Sequence, residues 1–512
     1  MKNTLYLLFA LLGITSCKFS EKDNNFLTPS SFPKIHYSSQ KHNVGAPSSF
    51  LFQNGIYSVF YQEFTSSKNT LSSIYKTNST DLIHWQPAEK QVFGDPNQDI
   101  LYANVVADSR NSTGFGSKIQ SPIVALLLVN QAKNTDFKNL CFKVSYSTDQ
   151  GKDWILDNSR VNFPDTLKND FKPSLIWVEI TQKWIMTIVD AQKIKFYSSK
   201  DLKTWKLENS IEKDSQYRDN IWLKATLFPI NGLNWILLVD QEFPNPRDGS
   251  SVQYFIGSFD GHTFSTRITA KSQWLDYGKD NIFNVVCSGL ATDLKPIVIG
   301  LKNNIDYPLI GSMKPFWGSF TFPRTLILDE YSGERILASE PIQNINKIQG
   351  KSLILKNLNV SESIDISSKI TVRLTPSIIT LKFETTEMTR MTFPSKFGIQ
   401  LENDKGEKLI VGYDVLKQIY FVDRSNFLIV KDNSQFRGED IISSYHSDSL
   451  MIMNIILDDS SIELFVENGK QALTENFFSE RKLCKVKLFA ENGIIEIKDL
   501  IISELNPIWA RQ

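Results

Sequence analysis

Apolar and polar residues alternate in short runs along most of the chain, and long helical periodicity is absent. Runs such as 370–374 and 462–466 place every second side chain on the same face, as expected for a strand with one face on a core and the other in solvent. From about residue 350, turn sequences such as Asn468-Gly469 separate these runs, which is typical of antiparallel sheets. The pattern predicts an all-β protein whose residues 346–512 form a β-sandwich.

A second pattern occupies residues 34–345, where an Asp turn precedes an aromatic residue four times. The Asp residues stand at positions 81, 149, 201 and 260, so they are 68, 52 and 59 residues apart. A propeller blade of four short strands needs roughly 40 to 50 residues plus loops. We expect each Asp to cap the turn between two outer strands of a blade and the aromatic residue to pack between blades. Residues 34–345 are therefore predicted to form a five-bladed β-propeller.

The N-terminus carries an export signal. Lys2 precedes the apolar run 5–12, which is too short to span a bilayer but typical of a signal peptide. The sequence Gly-Ile-Thr-Ser-Cys that follows resembles a bacterial lipobox, with Cys17 as the lipidated residue. We predict a lipoprotein signal peptide over 1–16 and a flexible polar tether over 17–33. An ordinary secretory signal with a chance Cys is the alternative.

Composition excludes several classes of partner. Lys plus Arg and Asp plus Glu both total 56, so nothing favours binding to nucleic acid. The five His show no metal-ligand spacing and there is no Gly-rich phosphate loop, so we predict neither a metal nor a cofactor. The 34 Phe, 16 Tyr and 10 Trp suit a β-rich core, and they also suit carbohydrate binding, in which sugar faces pack on aromatic rings.

Residues 45–62 resemble the first motif of glycoside hydrolase family 32, the invertases, inulinases and levanases. That motif runs Asn-Asp-Pro-Asn-Gly, a β-hairpin, then Phe-Tyr-Gln. Without a gap, its Asp falls on Ala46, its Pro on Pro47 and its last three residues on 60–62. Further matches follow in the family's order at 276–280, 322–326, 412–414, 422–425 and 457–469. The resemblance implies a five-bladed propeller followed by a β-sandwich over nearly all of the mature chain.

The positions that carry the family's chemistry have changed. Retaining glycosidases need two carboxylates about 5 to 5.5 Å apart, one as nucleophile and one as acid/base. The resemblance places the nucleophile at Ala46 and the acid/base at Leu223, and it places a third carboxylate where this chain reads Phe171-Lys172-Pro173. We therefore predict that the protein is not an enzyme. A misaligned but active glycosidase is the alternative.

Sugar-contact positions of the family are altered as well. Its Phe-Ser-Gly-Ser falls on 101–104, and its Asn-Asn-Trp-Asp-Tyr falls on 303–307, where Ile305 replaces the Trp. Aromatic and amide residues near the motif loops are the predicted ligand-binding candidates: Gln62, Tyr102, Trp222, Trp274, Tyr277, Asn303, Asn304 and Trp317. For Trp222 and Trp317, packing between blades is the alternative role.

These expectations combine into one functional hypothesis. The protein is predicted to be a surface-exposed outer-membrane lipoprotein, in contact with the membrane through its lipid anchor only, that captures fructan. Levan is preferred to inulin as the ligand, and the expected partners are a surface hydrolase and an outer-membrane importer. A divergent but active fructan β-fructosidase and a docking partner of an active homologue remain as alternatives.

Overall fold

Nearly all regular structure in the chain is β-strand. The computed structural model describes residues 32–39, 43–64, 72–117, 119–131, 139–191, 193–213, 220–243, 249–266, 273–291, 293–304, 318–384, 394–427, 438–445, 450–477 and 479–509. The predicted signal peptide, Cys17 and most of the predicted tether lie outside these residues. None of the helices within them is long and apolar enough to cross a membrane.

Five antiparallel sheets form the N-terminal part of the described chain. Blade 1 contains β1 (Asn43–Gln53), β2 (Ile56–Phe64), β3 (Ser72–Ser79) and β4 (Glu89–Lys90). Blade 2 contains β5 (Asp99–Ala107), β6 (Ile123–Asn130), β7 (Leu140–Ser147) and β8 (Ile155–Asp157). Blade 3 contains β9 (Ser174–Val178), β10 (Lys183–Asp190), β11 (Lys193–Ser199) and β12 (Lys206–Glu212).

The last two blades have one additional strand each. Blade 4 contains β13 (Ile221–Asn231), β14 (Asn234–Phe243), β15 (Gly249–Phe259), β16 (Phe264–Thr266) and β17 (Trp274–Asp276), which pairs with β15. Blade 5 contains β18 (Ile282–Val286), β19 (Ile297–Lys302), β20 (Ser319–Phe320), β21 (Arg324–Tyr331) and β22 (Glu334–Pro341).

The first strand of each blade lines a central channel. Strand β1 contacts β5 and β18, and the ring continues through contacts of β9 with β5 and β13 and of β13 with β18. The amide of Phe52 donates to the carbonyl of Ser288 at 2.8 Å, and the amide of Ser288 donates to the carbonyl of Phe50 at 2.9 Å. These bonds join the first blade to the fifth. The predicted five-bladed propeller is confirmed.

The repeated Asp turns have the structural role that their spacing predicts. In blade 1, Asp81 Oδ1 accepts hydrogen bonds from the amides of Ile83 at 3.0 Å and His84 at 2.8 Å. Asp149, Asp201 and Asp260 accept from backbone amides two to four residues further on in the same way. All four turns connect the third and fourth strands of a blade. Carboxylates at these positions hold turns and belong to no site.

A rolled β-sandwich follows the propeller. Short 3-10 helices at Gln343–Ile348 and Ser367–Lys369 flank its first strand. Its strands are β23 (Gln349–Asp365), β24 (Ser377–Glu384), β25 (Lys396–Glu402), β26 (Lys408–Asp414), β27 (Ile419–Asp423), β28 (Glu439–Ser443), β29 (Leu450–Leu457), β30 (Ser461–Val466), β31 (Gln471–Asn476) and β32 (Lys485–Leu505).

The long strand β32 connects the two layers of the sandwich. It pairs with β25 through 485–491 and with β24 through 496–504. Apolar side chains from both layers, including Phe383, Phe397 and Leu464, are fully buried between them. The predicted sandwich is confirmed.

A buried ion network fixes the sandwich to the propeller. Arg324 of blade 5 is 1% exposed, and its Nη1 lies 2.7 Å from Asp276 Oδ2 of blade 4 while its Nη2 lies 2.6 Å from Glu463 Oε2 of β30. His36 bridges Glu463 and Asp458 at 2.9 and 2.7 Å. Burial opposes ionisation of Glu463, but Arg324 and His36 outweigh it and lower its pKa to about 2. The network therefore contains a permanently charged, fully buried pair.

We predict that Arg324→Ala lowers the free energy of unfolding by about 3 to 5 kcal/mol, because it leaves the buried carboxylates of Asp276 and Glu463 without their shared guanidinium. Chemical denaturation measures the loss. A lowered pKa contributes stability above the unfolded value of about 4.3 and loses it as the pH falls toward 2. The loss should therefore be similar at about pH 6 and about pH 8.

The matched control is Arg335→Ala. Arg335 is exposed in blade 5, and its Nη1 donates to Asn234 Oδ1 at 2.6 Å. Exposed polar contacts contribute little, so the expected change is within about 0.5 kcal/mol. Equal losses in the two variants would contradict the role assigned to the buried network.

Candidate functional site

One mouth of the central channel gathers the residues at the family's catalytic positions. Ala46, Tyr102, Leu223 and Phe283 lie near the starts of the innermost strands β1, β5, β13 and β18, and Pro173 directly precedes β9. A parallel bridge between Leu51 and Ser288 fixes the register of β1 against β18. We call this end of the channel, defined by these five residues, the upper mouth.

The upper mouth is apolar where chemistry would require carboxylates. Ala46 is 5% exposed and belongs to one buried cluster with Phe50 and Phe283, against which Leu223 packs. Phe283 has a φ of 56°, which is uncommon for a bulky residue.

A buried charged group lies behind this apolar surface. Lys224 Nζ donates to the carbonyl of Asn284 at 2.7 Å, and Asp240 accepts from the amide of Asn284 at 3.1 Å and from its side-chain Nδ2 at 2.9 Å. Burial lowers the pKa of Lys224 to about 8 against the attraction of Asp240, and Lys172 lowers it further. Burial also raises the pKa of Asp240. Both groups are bound to Asn284, so they position β18 and are not presented to a ligand.

Lys172 lies in the segment that the family resemblance aligns with the third carboxylate. Phe171 and Pro173 are buried, whereas Lys172 between them is half-buried, with its Nζ 5.1 Å from the centroid of the Phe283 ring. Burial lowers the pKa of Lys172. A half-buried amine donates hydrogen bonds to hydroxyl groups, but it replaces neither a nucleophile nor a proton donor of a retaining pair.

Residues 36–341 match the glycosyl hydrolases family 32 N-terminal domain, and residues 344–504 match the C-terminal domain of that family. The chain belongs to glycosyl hydrolase family 32. It is 25% identical to a levanase of Bacillus subtilis (strain 168) over 98% of this chain and 74% of that protein. It is 26% identical to an extracellular exo-inulinase of Aspergillus niger over 93% of this chain and 95% of that protein.

Solved structures share the fold. The exo-inulinase from Aspergillus awamori matches with a TM-score of 0.82 at 23% identity, over 95% of this chain and 100% of that one. A fructofuranosidase from Schwanniomyces occidentalis in complex with fructose matches with a TM-score of 0.79 at 20% identity, over 94% of this chain and 99% of that one. The family resemblance drawn from the motifs is thereby confirmed.

Two of the predicted ligand-binding residues of this family 32 chain are buried. Tyr102 is 2% exposed, with its hydroxyl 3.5 Å from the carbonyl of Ser48. Trp222 is 6% exposed, and Lys213 Nζ lies 5.2 Å from its ring centroid. Large aromatic rings on innermost strands fill the space between neighbouring blades. Their burial argues against the platform role and, for Trp222, favours the alternative of blade packing.

The amide candidates are also engaged within the protein. Gln62 Nε2 donates to the carbonyl of Leu101 at 2.8 Å and so joins blades 1 and 2. Asn303 and Asn304 are buried after β19, where Asn303 Oδ1 accepts from the amide of Asn304 at 2.8 Å. These side chains therefore serve contacts within the propeller.

The remaining candidates lie apart from the upper mouth. Trp274 is half-buried in β17, at the outer part of blade 4, and Tyr277 follows it and packs against the sandwich core. Trp317 and Ile305 lie outside the described residues. The structure therefore does not bring the seven candidates within its described residues together into one site.

Sequence reasoning missed three residues at or near the upper mouth. Phe283, Lys172 and Lys224 were not among the candidates, although Lys172 directly precedes Pro173 and Lys224 directly follows Leu223. A lysine within an apolar strand was the available signal, because such a residue is rarely buried without a partner. Among the described residues, no group of three or more His, Cys, Asp or Glu is placed to hold a metal ion.

Proposed function

We propose that this family 32 protein is a non-catalytic, lipid-anchored fructan-binding protein of the cell surface. The observation that carries the proposal is the packing of Ala46 and Leu223 against one buried apolar cluster. A retaining mechanism needs a nucleophilic carboxylate and an acid/base carboxylate about 5 to 5.5 Å apart. A methyl and an isobutyl group supply neither function.

Other carboxylates near the blades make poor substitutes. Both oxygens of Asp240 accept hydrogen bonds from Asn284, and Glu63 is buried and accepts from the hydroxyl of Tyr61 at 3.0 Å. Catalytic groups of one unit depend on each other, so a single surviving carboxylate provides little rate enhancement. The geometry therefore favours binding over hydrolysis.

Homology supports fructan as the ligand. The relatives include a levanase and an exo-inulinase, and the chain keeps both domains of their family. We propose levan in preference to inulin. Captured polysaccharide would be held at the outer membrane, near a surface hydrolase and an outer-membrane importer, with the lipid on Cys17 as the only membrane contact.

We predict that the mature protein migrates more slowly in gels containing levan than in plain gels, with a smaller effect of inulin. No free fructose should appear after incubation with levan, inulin or sucrose. Release of fructose would replace this proposal with an active β-fructosidase. Unchanged migration without product would instead favour a docking partner of an active homologue.

Two variants locate that binding in the same gels. Lys172→Ala removes the half-buried amine at the upper mouth and should weaken retardation several-fold, whereas Trp274→Ala tests the outer part of blade 4. The matched control is Lys200→Ala, because Lys200 is exposed in the turn after β11. Equal retardation of Lys172→Ala and the control would exclude the upper mouth as the binding site.

We predict that Ala46→Asp yields no fructose from levan, inulin or sucrose. Leu223 still lacks an acid/base group, and the segment at Pro173 still lacks the third carboxylate. The buried charge should also lower thermal stability, because an unpaired buried carboxylate is costly. Ala46→Asn separates the effect of size from that of charge. Detectable fructose from Ala46→Asp alone would overturn the non-catalytic proposal.

We predict that Cys17→Ala abolishes lipidation of the full-length chain. In a Gram-negative host, wild-type protein should incorporate radiolabelled palmitate, fractionate with outer membranes and be cleaved by protease added to intact cells. Cys17→Ala should lose the label and the membrane association, whereas Cys141→Ala serves as the matched control and should keep both. Label retained by Cys17→Ala would refute the anchor, and wild-type protein resistant to protease on intact cells would refute surface exposure.

A further inference from the structure

A cavity lies at the opposite end of the channel from Ala46 and Leu223. Its volume is about 430 Å³, and it is bordered by the ends of the innermost strands and the loops that follow them, including Ser49, Asp108, Trp177, Trp184, Ile230 and Ser288. We call this end the lower mouth. Leu223 and Ile230 lie seven residues apart in β13, so the two mouths are separated by about 20 Å. The cavity has the volume of a small-ligand site.

Two indole rings at the lower mouth are held in fixed positions. Trp177 Nε1 donates to Glu179 Oε2 at 2.7 Å, and Arg110 Nη2 donates to Glu179 Oε1 at 2.6 Å. Trp184 Nε1 donates to Ser112 Oγ at 2.8 Å. The two rings are 5.3 Å apart between centroids, with an interplanar angle of 67°. Trp177 is half-buried, so an oriented aromatic surface borders the cavity before any ligand binds.

The charges around the cavity are compensated within the protein. Asp108 is fully buried, and its oxygens accept from the amides and hydroxyls of Ser112 and Thr113 at 2.7 to 3.1 Å. Arg110 is paired with Glu179. An ionic ligand would therefore find no unpaired opposite charge in Asp108 or Arg110, which favours a neutral ligand.

A neutral sugar fits the aromatic, hydroxyl and amide groups that line the cavity. A sugar ring combines a C–H face, which packs on an indole, with hydroxyl groups at its edge. The wall of the cavity includes the hydroxyl residues Ser109, Thr226 and Ser288 as well as Asn231, and such groups exchange hydrogen bonds with hydroxyls. Rings that are already oriented lose little freedom on binding.

We propose that the lower mouth is a second carbohydrate-binding site, which takes a neutral mono- or oligosaccharide with Trp177 as its platform. Arg110 and Glu179 are positioning residues that hold the Trp177 ring. The site is formed by residues other than those of the upper mouth, so it does not depend on whether the upper mouth binds fructan.

The test is isothermal titration of the mature full-length chain with fructose, sucrose and a levan-derived tetrasaccharide. Trp177→Ala should weaken binding at the lower mouth by about tenfold, the cost of losing an aromatic contact of about 1.4 kcal/mol. Trp177→Phe should recover most of the affinity. Trp235→Ala is the matched control, because Trp235 is half-buried in blade 4 and packs on Phe259 outside the cavity.

A second pair of variants keeps the test independent of folding. Arg110 and Glu179 are 60% and 57% exposed in their side chains, so Arg110→Ala and Glu179→Ala should leave the melting temperature unchanged. Both should still weaken sugar binding several-fold, because the Trp177 indole loses its anchor. Wild-type affinity in both variants would show that Trp177 needs no positioning and would count against the platform.

The outcomes separate this proposal from the function proposed for the upper mouth. Wild-type affinity and stoichiometry in a folded Trp177→Ala variant would overturn the lower site, as would the absence of binding of all three sugars at millimolar concentration. Binding removed by Lys172→Ala alone would support the upper mouth and overturn the lower site. Binding removed by Trp177→Ala alone would support the lower site and exclude the upper mouth.

Discussion

The buried contact between Arg324 and Glu463 determines how the rest of the molecule is arranged. Arg324 begins β21 in blade 5, Asp276 ends β17 in blade 4, and Glu463 lies in the sandwich, so a single guanidinium joins three parts of the chain. His36 adds the segment that precedes blade 1. Loss of Arg324 would leave two carboxylates buried without their shared cation, which is far more costly than loss of an exposed pair. The motifs that contain Asp276, Arg324 and Glu463 must therefore keep their charges paired, and this constraint does not apply to the upper mouth.

Changes at the upper mouth are consistent with one another. Catalytic groups of one unit depend on each other, so with Ala46 at the position that the family resemblance assigns to the nucleophile, a remaining group would contribute little by itself. A carboxylate kept beside Phe283 would carry the cost of burying a charge. Apolar residues in these positions restore ordinary core packing, while Lys224 and Asp240 are both held by Asn284. Ala46 and Leu223 are therefore accommodated by ordinary apolar packing.

The fold was predictable from sequence because its signals are local. The repeated turns at Asp81 and Asp149 require only neighbouring residues to be read correctly, and the structure confirms them. The alternating runs were read less accurately, because 462–466 lies in β30 but is buried on both faces, and 370–374 forms no strand. The buried partners of Arg324 lie 48 and 139 residues away, so their contact was not visible. The burial of Tyr102 could not be predicted from the sequence either, because whether its ring forms a platform or packs between blades depends on the adjacent blade. Lysines are usually solvated, so the burial of Lys224 was not predicted.

The closed ring explains how one end of the channel can change while the other keeps a cavity. Each innermost strand contributes to both mouths. Its pairing with the next strand of its blade is irregular at the altered residue and resumes beyond it, as in β13, where the register shifts between Trp222 and Lys224. The bonds of Ser288 to Phe50 and Phe52 close the ring at the lower end. A substitution at Ala46 therefore affects the packing of its own cluster. The position of the Trp177 ring depends instead on Glu179 and Arg110, in the loops of blades 3 and 2.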